Sequence, residues 1–292
     1  MKDNLKKIRG RPVTKENYKY IKSLCEDRNL TPKLVVIAVG KDPAAEYYVN
    51  NIAKKGKKVE IQVEIERYPE KCSQTKILQR ITDLNSNDSV HGIMIQKPLP
   101  KHINDEIITT AINPNKDVDG FHPLNIGKLV LDQPGLLPCT PAAVLELIKF
   151  YKIKTDGKKV VVLGRSDIVG KPLMNLLIRK NQTGNATVTI CHSHTKNLKD
   201  ETKKADIIIA AVGKAEFLTK NMIKDGAIII DVGINKKNSE KGETKYVGDV
   251  DYKNCMSKAK LITPVPGGVG SVTTSILLKN VTKSCLKMQN EK

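Results

Sequence analysis

The sequence predicts an α/β protein of two domains, the second a dinucleotide-binding domain of Rossmann type. Three observations lead there. Apolar runs of strand length alternate with segments of helical periodicity along most of the chain. The run KKVVVLG (158–164) passes through a glycine turn into KPLMNLLIRK (171–180), a strand–turn–helix unit. The length, 292 residues, suits two cores better than one.

LVVIAV (34–39) reads as a buried strand, and the turn KDPA (41–44) leads into a helix from about Ala44 to Lys57. VEIQVEIERY (59–68) alternates apolar and polar residues, as a strand with one open face does. SQTKILQRITDLNS (73–86) sets Ile77, Leu78, Ile81 and Leu84 on one helical face. VHGIMIQ (90–96) is a third strand, ended by KPLP (97–100), and a helix over 104–112 follows. NPNKDVDGFHP (113–123) reads as a loop. A helix starting near Thr140, with Pro141 in its first turn, marks the boundary between domains. Beyond it, strands are expected at 158–164, 186–191, 205–213, 226–233 and 261–263. The terminal stretch 271–288 has helical spacing and is assigned back to the first domain. The expected partition is residues 1–139 plus 271–292, and residues 140–270.

Composition narrows the function classes. Hydrophobic residues make up 39%, with no Trp and three Phe, so the cores must be built from Ile, Leu and Val. No apolar run approaches the roughly 20 residues of a membrane span. The start, MKDNLKKIRGRP, is charged with no apolar stretch behind it, so no signal peptide is expected. Six cysteines, at 25, 72, 139, 191, 255 and 285, form no close pair. Free thiols in a reducing cytoplasm are the expectation. Lys and Arg number 50 against 31 Asp and Glu, a formal charge of +19. That balance suits anionic cofactors or polycarboxylate substrates, or equally a solvated lysine-rich surface. The lysines are spread along the chain and few aromatics are present to stack bases, so nucleic acid is not the expected partner.

VVVLGRSDIVGKP (160–172) carries two glycines six residues apart, Gly164 and Gly170, and is not GxGxxG. Gly164 permits a tight turn after the strand and Gly170 a close approach at the helix start, where free N–H groups bind phosphate. A purely structural strand–helix turn has the same outline. The next strand end decides between cofactors. An NAD site places an acid there for the ribose diol. Here it reads CHSHTK (191–196): His192, Ser193, His194 and Lys196, with Arg165 following the first glycine. A 2′-phosphate finds donors and no repulsion, so NADP is expected over NAD. AAVG (210–213) and DVGIN (231–235) also follow buried strands and read as site material, as does TPVPGGVGS (263–271) with Gly267, Gly268 and Gly270.

Together these segments resemble the methylenetetrahydrofolate dehydrogenase/cyclohydrolase family. GRSDIVGKP, CHS, AVGK, DVGIN, VGDV (247–250) and TPVPGGVG occur in the family's order. The first half adds VGKDPA…YYV, GIMIQKPLP, NPNKDVDGFHP and PCTP (138–141). The likeness runs from about Leu34 to Leu278. It implies oxidation of 5,10-methylenetetrahydrofolate by hydride transfer to a nicotinamide, then hydrolysis of the methenyl product to 10-formyltetrahydrofolate. It also implies two α/β domains flanking a cleft, a cytoplasmic homodimer, and no metal. By this resemblance Tyr48 stacks on and positions the folate, Gln96 hydrogen-bonds the catalytic lysine, and Asp119 holds the pterin. Pro98, Leu99, Pro264, Gly267 and Gly268 adjoin the substrate. Gly164, Arg165, Ser166, Ile168, Gly170, His192, Ser193, Val212, Gly213, Gly233 and Ile234 belong to the cofactor site.

The chain departs from the family pattern where it matters most. Tyr-x-x-x-Lys is usual, and here the lysine position is Ile52. Ala45 stands for the usual serine, Lys97 for leucine after the glutamine, and Ser271 for proline. On a helix Lys54 is roughly 240° round from Tyr48; Lys55 is about 20° off but roughly 10 Å along. Lys97, beside Gln96, is the better substitute base. Hydride transfer needs positioning more than a base. Hydrolysis needs a water deprotonated, where a placed base contributes about 10²–10⁴-fold. The expectation is a dehydrogenase with cyclohydrolase absent or weak. The alternatives are a bifunctional enzyme with a relocated base such as Lys97, and a non-catalytic folate or NADP binder.

Overall fold

The computed structural model describes residues 7–238 and 244–291. Residues 1–6, part of the start read above for targeting signals, lie outside the described residues. The chain divides into two compact units, one formed by residues 16–139 with 274–291, the other by residues 140–273 with 7–15.

In chain order the elements begin with α1 (Gly10–Arg28), β1 (Lys33–Val39), α2 (Pro43–Lys57), β2 (Gln62–Tyr68), α3 (Gln74–Ser86) and β3 (Gly92–Ile95). Next come α4 (Asp105–Ala111), α5 (Pro123–Val130) and α6 (Cys139–Phe150). The remainder is β4 (Lys159–Leu163), α7 (Gly170–Leu177), β5 (Thr187–Cys191), α8 (Leu198–Lys204), β6 (Ile207–Ala210), β7 (Ile228–Asp231), β8 (Asn235–Asn238), β9 (Thr244–Val247), α9 (Tyr252–Met256), β10 (Leu261–Ile262) and α10 (Gly270–Asn290).

The first unit is built on a parallel sheet in the order β2-β1-β3. Central β1 buries every residue from Leu34 to Ala38, as a strand covered on both faces must. Edge strand β2 alternates, with an open and a covered face. Ile77, Ile81 and Leu84 of α3 pack with Val35, Ile37, Ile93 and Ile95, an aliphatic core without tryptophan. Two helices of this unit are capped by side chains. Asp42 Oδ1 accepts from Ala45 N at 2.7 Å to start α2, and Ser73 Oγ accepts from Lys76 N at 3.3 Å to start α3.

The second unit carries a five-stranded parallel sheet in the order β10-β7-β6-β4-β5. Numbered within the unit this is 2-1-3-4-5, a doubly wound order whose direction switches between β4 and β6. The loops leaving those two strands therefore flank the crevice where such sheets take ligands. Val161, Leu163, Ile208 and Ile229 form the core beneath it.

Three differences from the sequence reading have physical causes. The strand expected from Val59 begins at Gln62, because Ile61 N closes back on Gly56 O at 3.1 Å with Glu60 left-handed at φ 60°. Val59 and Ile61 are buried all the same, so the alternation was genuine and the backbone was turning. Residues 7–15, assigned from sequence to the first domain, cluster with the second unit: Ile8 N donates to Ile262 O and Gly10 N to Gly267 O, each at 2.9 Å, so the segment extends the β10 edge. Helices α1 and α5 and the β8–β9 hairpin were not expected. The buried stripe of α1, Val13, Asn17, Ile21 and Cys25, is interrupted by Asn17 and is masked by surrounding charge.

Candidate active site

In the first unit the fold consumes all of KDVDG except one carboxylate. Lys116 Nζ donates to the carbonyls of Leu84, Asn85 and Asn87, tying the loop to the end of α3. The Asp117 carboxylate accepts from Gly120 N (3.2 Å), His122 N (2.8 Å) and Asn125 Nδ2 (2.9 Å). Val118 is buried, and its carbonyl accepts from Asn280 Nδ2 at 2.8 Å. Gly120 turns with φ +77°, and a Cβ there would lie 2.5 Å from the backbone carbon of Leu137. Among the described residues the Asp119 carboxylate accepts no hydrogen bond. Burial first, and the Asp117 carboxylate second, push its pKa up to about 7, against a lowering by the Lys97 ammonium. The residue keeps part of its surface open. It is an acceptor held ready without a protein partner.

Tyr48 rides on the second turn of α2. Burial raises its phenol well above the usual tyrosine range, the Asp119 and Cys139 charges add to this, and the Thr274 hydroxyl opposes it. Tyr48 and Asp119 are therefore electrostatic neighbours. Gln96 ends β3. Its Nε2 donates to Lys97 O at 2.6 Å, which fixes the orientation of the amide, and its Oε1 is buried with no partner. Lys97, on a cis Lys97–Pro98 bond, pairs with Asp105 Oδ2 at 2.7 Å and lies 5.9 Å from the Phe121 ring centre. Ile52 is fully buried on the inner face of α2 with Val49 and Gly56. Lys54 is exposed, and Lys55 is half-buried, its pKa lowered by burial and by Lys58. Pro98 is exposed and Leu99 packs on the unit's core.

In the second unit the strand–turn–helix segment requires its glycines. Gly164 has φ +111°, and a Cβ on it would stand 2.1 Å from Ala211 O; one on Gly170 would stand 2.1 Å from Gly164 O. These contacts lock the β4 and β6 loops together at the switch point. Helix α7 starts at Gly170 with Val169 before it, which has no side-chain oxygen to cap the first turn. Arg165, Ser166 and Ile168 are exposed on the turn. After β5, the His192 ring has its pKa lowered, first by burial, then by the nearby Arg165 and His194 charges. His192 Nδ1 accepts from His194 N at 3.2 Å, and Ser193 is exposed beside them. Arg165 and His192, 27 positions apart in sequence, are thus electrostatic neighbours at one strand end. Val212 and Gly213 leave β6, Gly233 and the 61%-exposed Ile234 leave β7. Pro264, Gly267 and Gly268 form the turn before α10, with cis Val265–Pro266, Gly267 at φ +106°, and a Cβ on Gly268 meeting Pro264 O at 2.6 Å.

Residues 8–119 match the catalytic-domain model of the tetrahydrofolate dehydrogenase/cyclohydrolase family, and residues 138–289 its NAD(P)-binding domain model. The chain belongs to the tetrahydrofolate dehydrogenase/cyclohydrolase family. The "Bifunctional protein FolD" of Chlorobium phaeobacteroides is 47% identical over 291 residues, covering 97% of this chain and 98% of that one. The bifunctional FolD methylenetetrahydrofolate dehydrogenase/cyclohydrolase of Campylobacter jejuni is 41% identical with a TM-score of 0.90, covering 98% of this chain and 99% of its own. The Trypanosoma brucei N5,N10-methylenetetrahydrofolate dehydrogenase-cyclohydrolase, solved with NADP and an inhibitor, is 33% identical with a TM-score of 0.86, covering 97% of this chain and 96% of its own. The two-domain α/β fold with a Rossmann-like NAD(P)-binding domain is that of the family.

Within the family frame, the sequence reading missed the supporting residues. Thr274 beside Tyr48 and Asp105 paired with Lys97 gave no local signal, and DVGIN and VGDV were singled out without the mutual contact of their buried aspartates, Asp231 and Asp249.

Proposed function

We propose that the chain oxidises 5,10-methylenetetrahydrofolate to the 5,10-methenyl form with NADP+, and hydrolyses that product to 10-formyltetrahydrofolate. The observation that carries the substrate side is the Asp119 carboxylate, which has no hydrogen-bond partner among the described residues and is an electrostatic neighbour of the desolvated Tyr48 phenol. A pterin edge offers N–H donors to a carboxylate, and a buried tyrosine offers its ring face. The names of the bifunctional relatives support the two-step chemistry.

The glycine cradle fits a dinucleotide, since side chains at Gly164 or Gly170 would fill it. Bound there, NADP+ supplies the hydride acceptor. Arg165, His192 and Ser193 present donors for a 2′-phosphate, and residues 191–196 include no acid. Asp119 fixes the pterin, and the folate nitrogen lone pairs stabilise the cation as hydride leaves the methylene carbon. For hydrolysis, water adds to the methenyl carbon and gives up a proton; the bond from that carbon to N5 then breaks, N5 takes up a proton, and the formyl group stays on N10. Lys97 pairs with Asp105 at 2.7 Å and contributes by charge, while Asp119, whose pKa is pushed up to about 7, is able to take a proton.

A second reading rests on Ile52. Its fully buried aliphatic side chain neither accepts nor donates a proton, which leaves the hydrolytic step without the lysine that the resemblance implies at that position. This reading keeps the dehydrogenase and makes hydrolysis weak. Loss of methenyltetrahydrofolate absorbance above the uncatalysed rate separates the two. Brisk hydrolysis that falls in Lys97→Met supports the bifunctional enzyme with a relocated charge. Hydrolysis near background that rises about 10²-fold in Ile52→Lys supports the loss. A kcat/KM higher with NAD+ than with NADP+ would contradict the cofactor assignment.

A further inference from the structure

Two carboxylates in the second unit are almost fully buried, Asp231 at 2% and Asp249 at 0% exposure, and neither has a cationic partner among the described residues. Backbone donors answer them instead. Asp249 Oδ2 accepts from Val212 N at 2.6 Å and Gly213 N at 2.9 Å; its Oδ1 accepts from Lys214 N at 3.0 Å and Asn235 Nδ2 at 2.8 Å. Asp231 Oδ1 accepts from Gly233 N and from Asp249 N, and its Oδ2 from Val250 N, each at 3.0 Å. The contact is reciprocal in the backbone too. A Cβ on Gly233 would lie 2.2 Å from Asp249 Oδ1, and one on Gly248 would lie 1.9 Å from Asp231 Oδ2. Each carboxylate lies flat on a glycine adjoining the other.

Three successive N–H groups converging on one anion make a nest, an arrangement that ordinarily takes a bound anion. In the 212–214 loop the occupant is the protein's own Asp249. The loop after β6 is thus shaped from beneath, and Asn235 ties the loop after β7 to the same carboxylate. Strand order places these two loops on one side of the switch point, and the 164–170 turn with the 192–193 loop on the other. Given the cofactor reading above, on which this inference rests, the adenosine 2′-phosphate half of NADP+ lies over β4 and β5, and the nicotinamide half over β6 and β7.

We infer that Asp249, braced by Asp231, is a positioning residue for the nicotinamide half of the cofactor: it touches no ligand and sets the Val212–Gly213 and Gly233–Ile234 loops as one rigid surface. Replacing one carboxylate oxygen with an amide turns an N–H acceptor into a donor facing N–H groups, whichever way the amide is oriented.

The test measures binding of NADP+ and of adenosine 2′,5′-bisphosphate to the full-length wild type and to Asp249→Asn, with kcat and both KM values alongside. The expected result is an NADP+ affinity weakened by about tenfold or more and a reduced kcat, with affinity for the bisphosphate and KM for the folate substrate held within about twofold. Equal loss for both ligands in a folded variant would show a general structural role and overturn the inference, as would no loss for either. Should Asp249→Asn fail to fold, Asn235→Ala removes one arm of the clamp from a partly open side chain. It is expected to weaken NADP+ selectively by a smaller factor, and unchanged NADP+ binding would overturn the inference. Wild-type protein that binds neither ligand would overturn the cofactor reading and the inference with it.

Discussion

Within KDVDG every neighbour of Asp119 is engaged by the fold, and its carboxylate is what remains for a ligand. Its pKa of about 7 has a consequence for stability. In the unfolded chain an aspartate titrates near 4. The folded pKa is raised, so the contribution of the neutral form is fully present below about 4 and is lost as pH rises through about 7. Asp119→Asn keeps the neutral form at all pH values. The variant is therefore expected to gain stability relative to wild type between pH 5 and 8, by about 1–2 kcal/mol once the carboxyl's open side is discounted. Urea midpoints across that range check it; a constant difference would mean that the carboxyl is not perturbed. The same variant is expected to lose dehydrogenase kcat/KM by about 10²-fold or more, since a neutral amide answers pterin N–H donors with one acceptor.

At the level of elements, the turn between β4 and α7 makes the sharpest commitment. Gly170→Ala places a methyl 2.1 Å from Gly164 O, a backbone atom that cannot swing aside. The variant is expected to lose NADP+ affinity by about tenfold or more while folate binding to the other unit is kept, as read by separate titrations. This turn was legible in the sequence because two glycines, an apolar run and a helix start are local signals. So were β1, α3 and β3, whose apolar periods are uninterrupted. α1 was not, because Asn17 and Cys25 occupy its inner stripe, and Asn17 is satisfied by Ser275 Oγ at 3.1 Å, a partner 258 positions away. α5 is eight residues long and starts on Pro123 after a loop, too short for its period to declare itself. The site divides the same way. Tyr48, Gln96 and Asp119 were singled out by motif, whereas the Thr274 contact, the Lys97–Asp105 pair and the Asp231–Asp249 contact follow from the folded backbone and had no motif to mark them.

Across the whole molecule, the formal charge of +19 bears on substrate capture more than on the fold. Folates with longer glutamate tails carry more carboxylates, and exposed charges are screened within about 8 Å at physiological salt. Raising ionic strength is expected to raise KM for long-tailed folates most and for the monoglutamate least; equal KM changes would remove steering as a role for the basic surface. The central proposal concerns chemistry: this member of the tetrahydrofolate dehydrogenase/cyclohydrolase family, with Ile52 four positions after Tyr48, is proposed to transfer hydride, because that step depends on placement. The direct measurement follows NADPH formation by the purified protein with 5,10-methylenetetrahydrofolate. Sustained turnover, abolished in Asp119→Asn, is the predicted result. Tight binding of both NADP+ and folate with no NADPH formed would contradict the account and leave a non-catalytic binder.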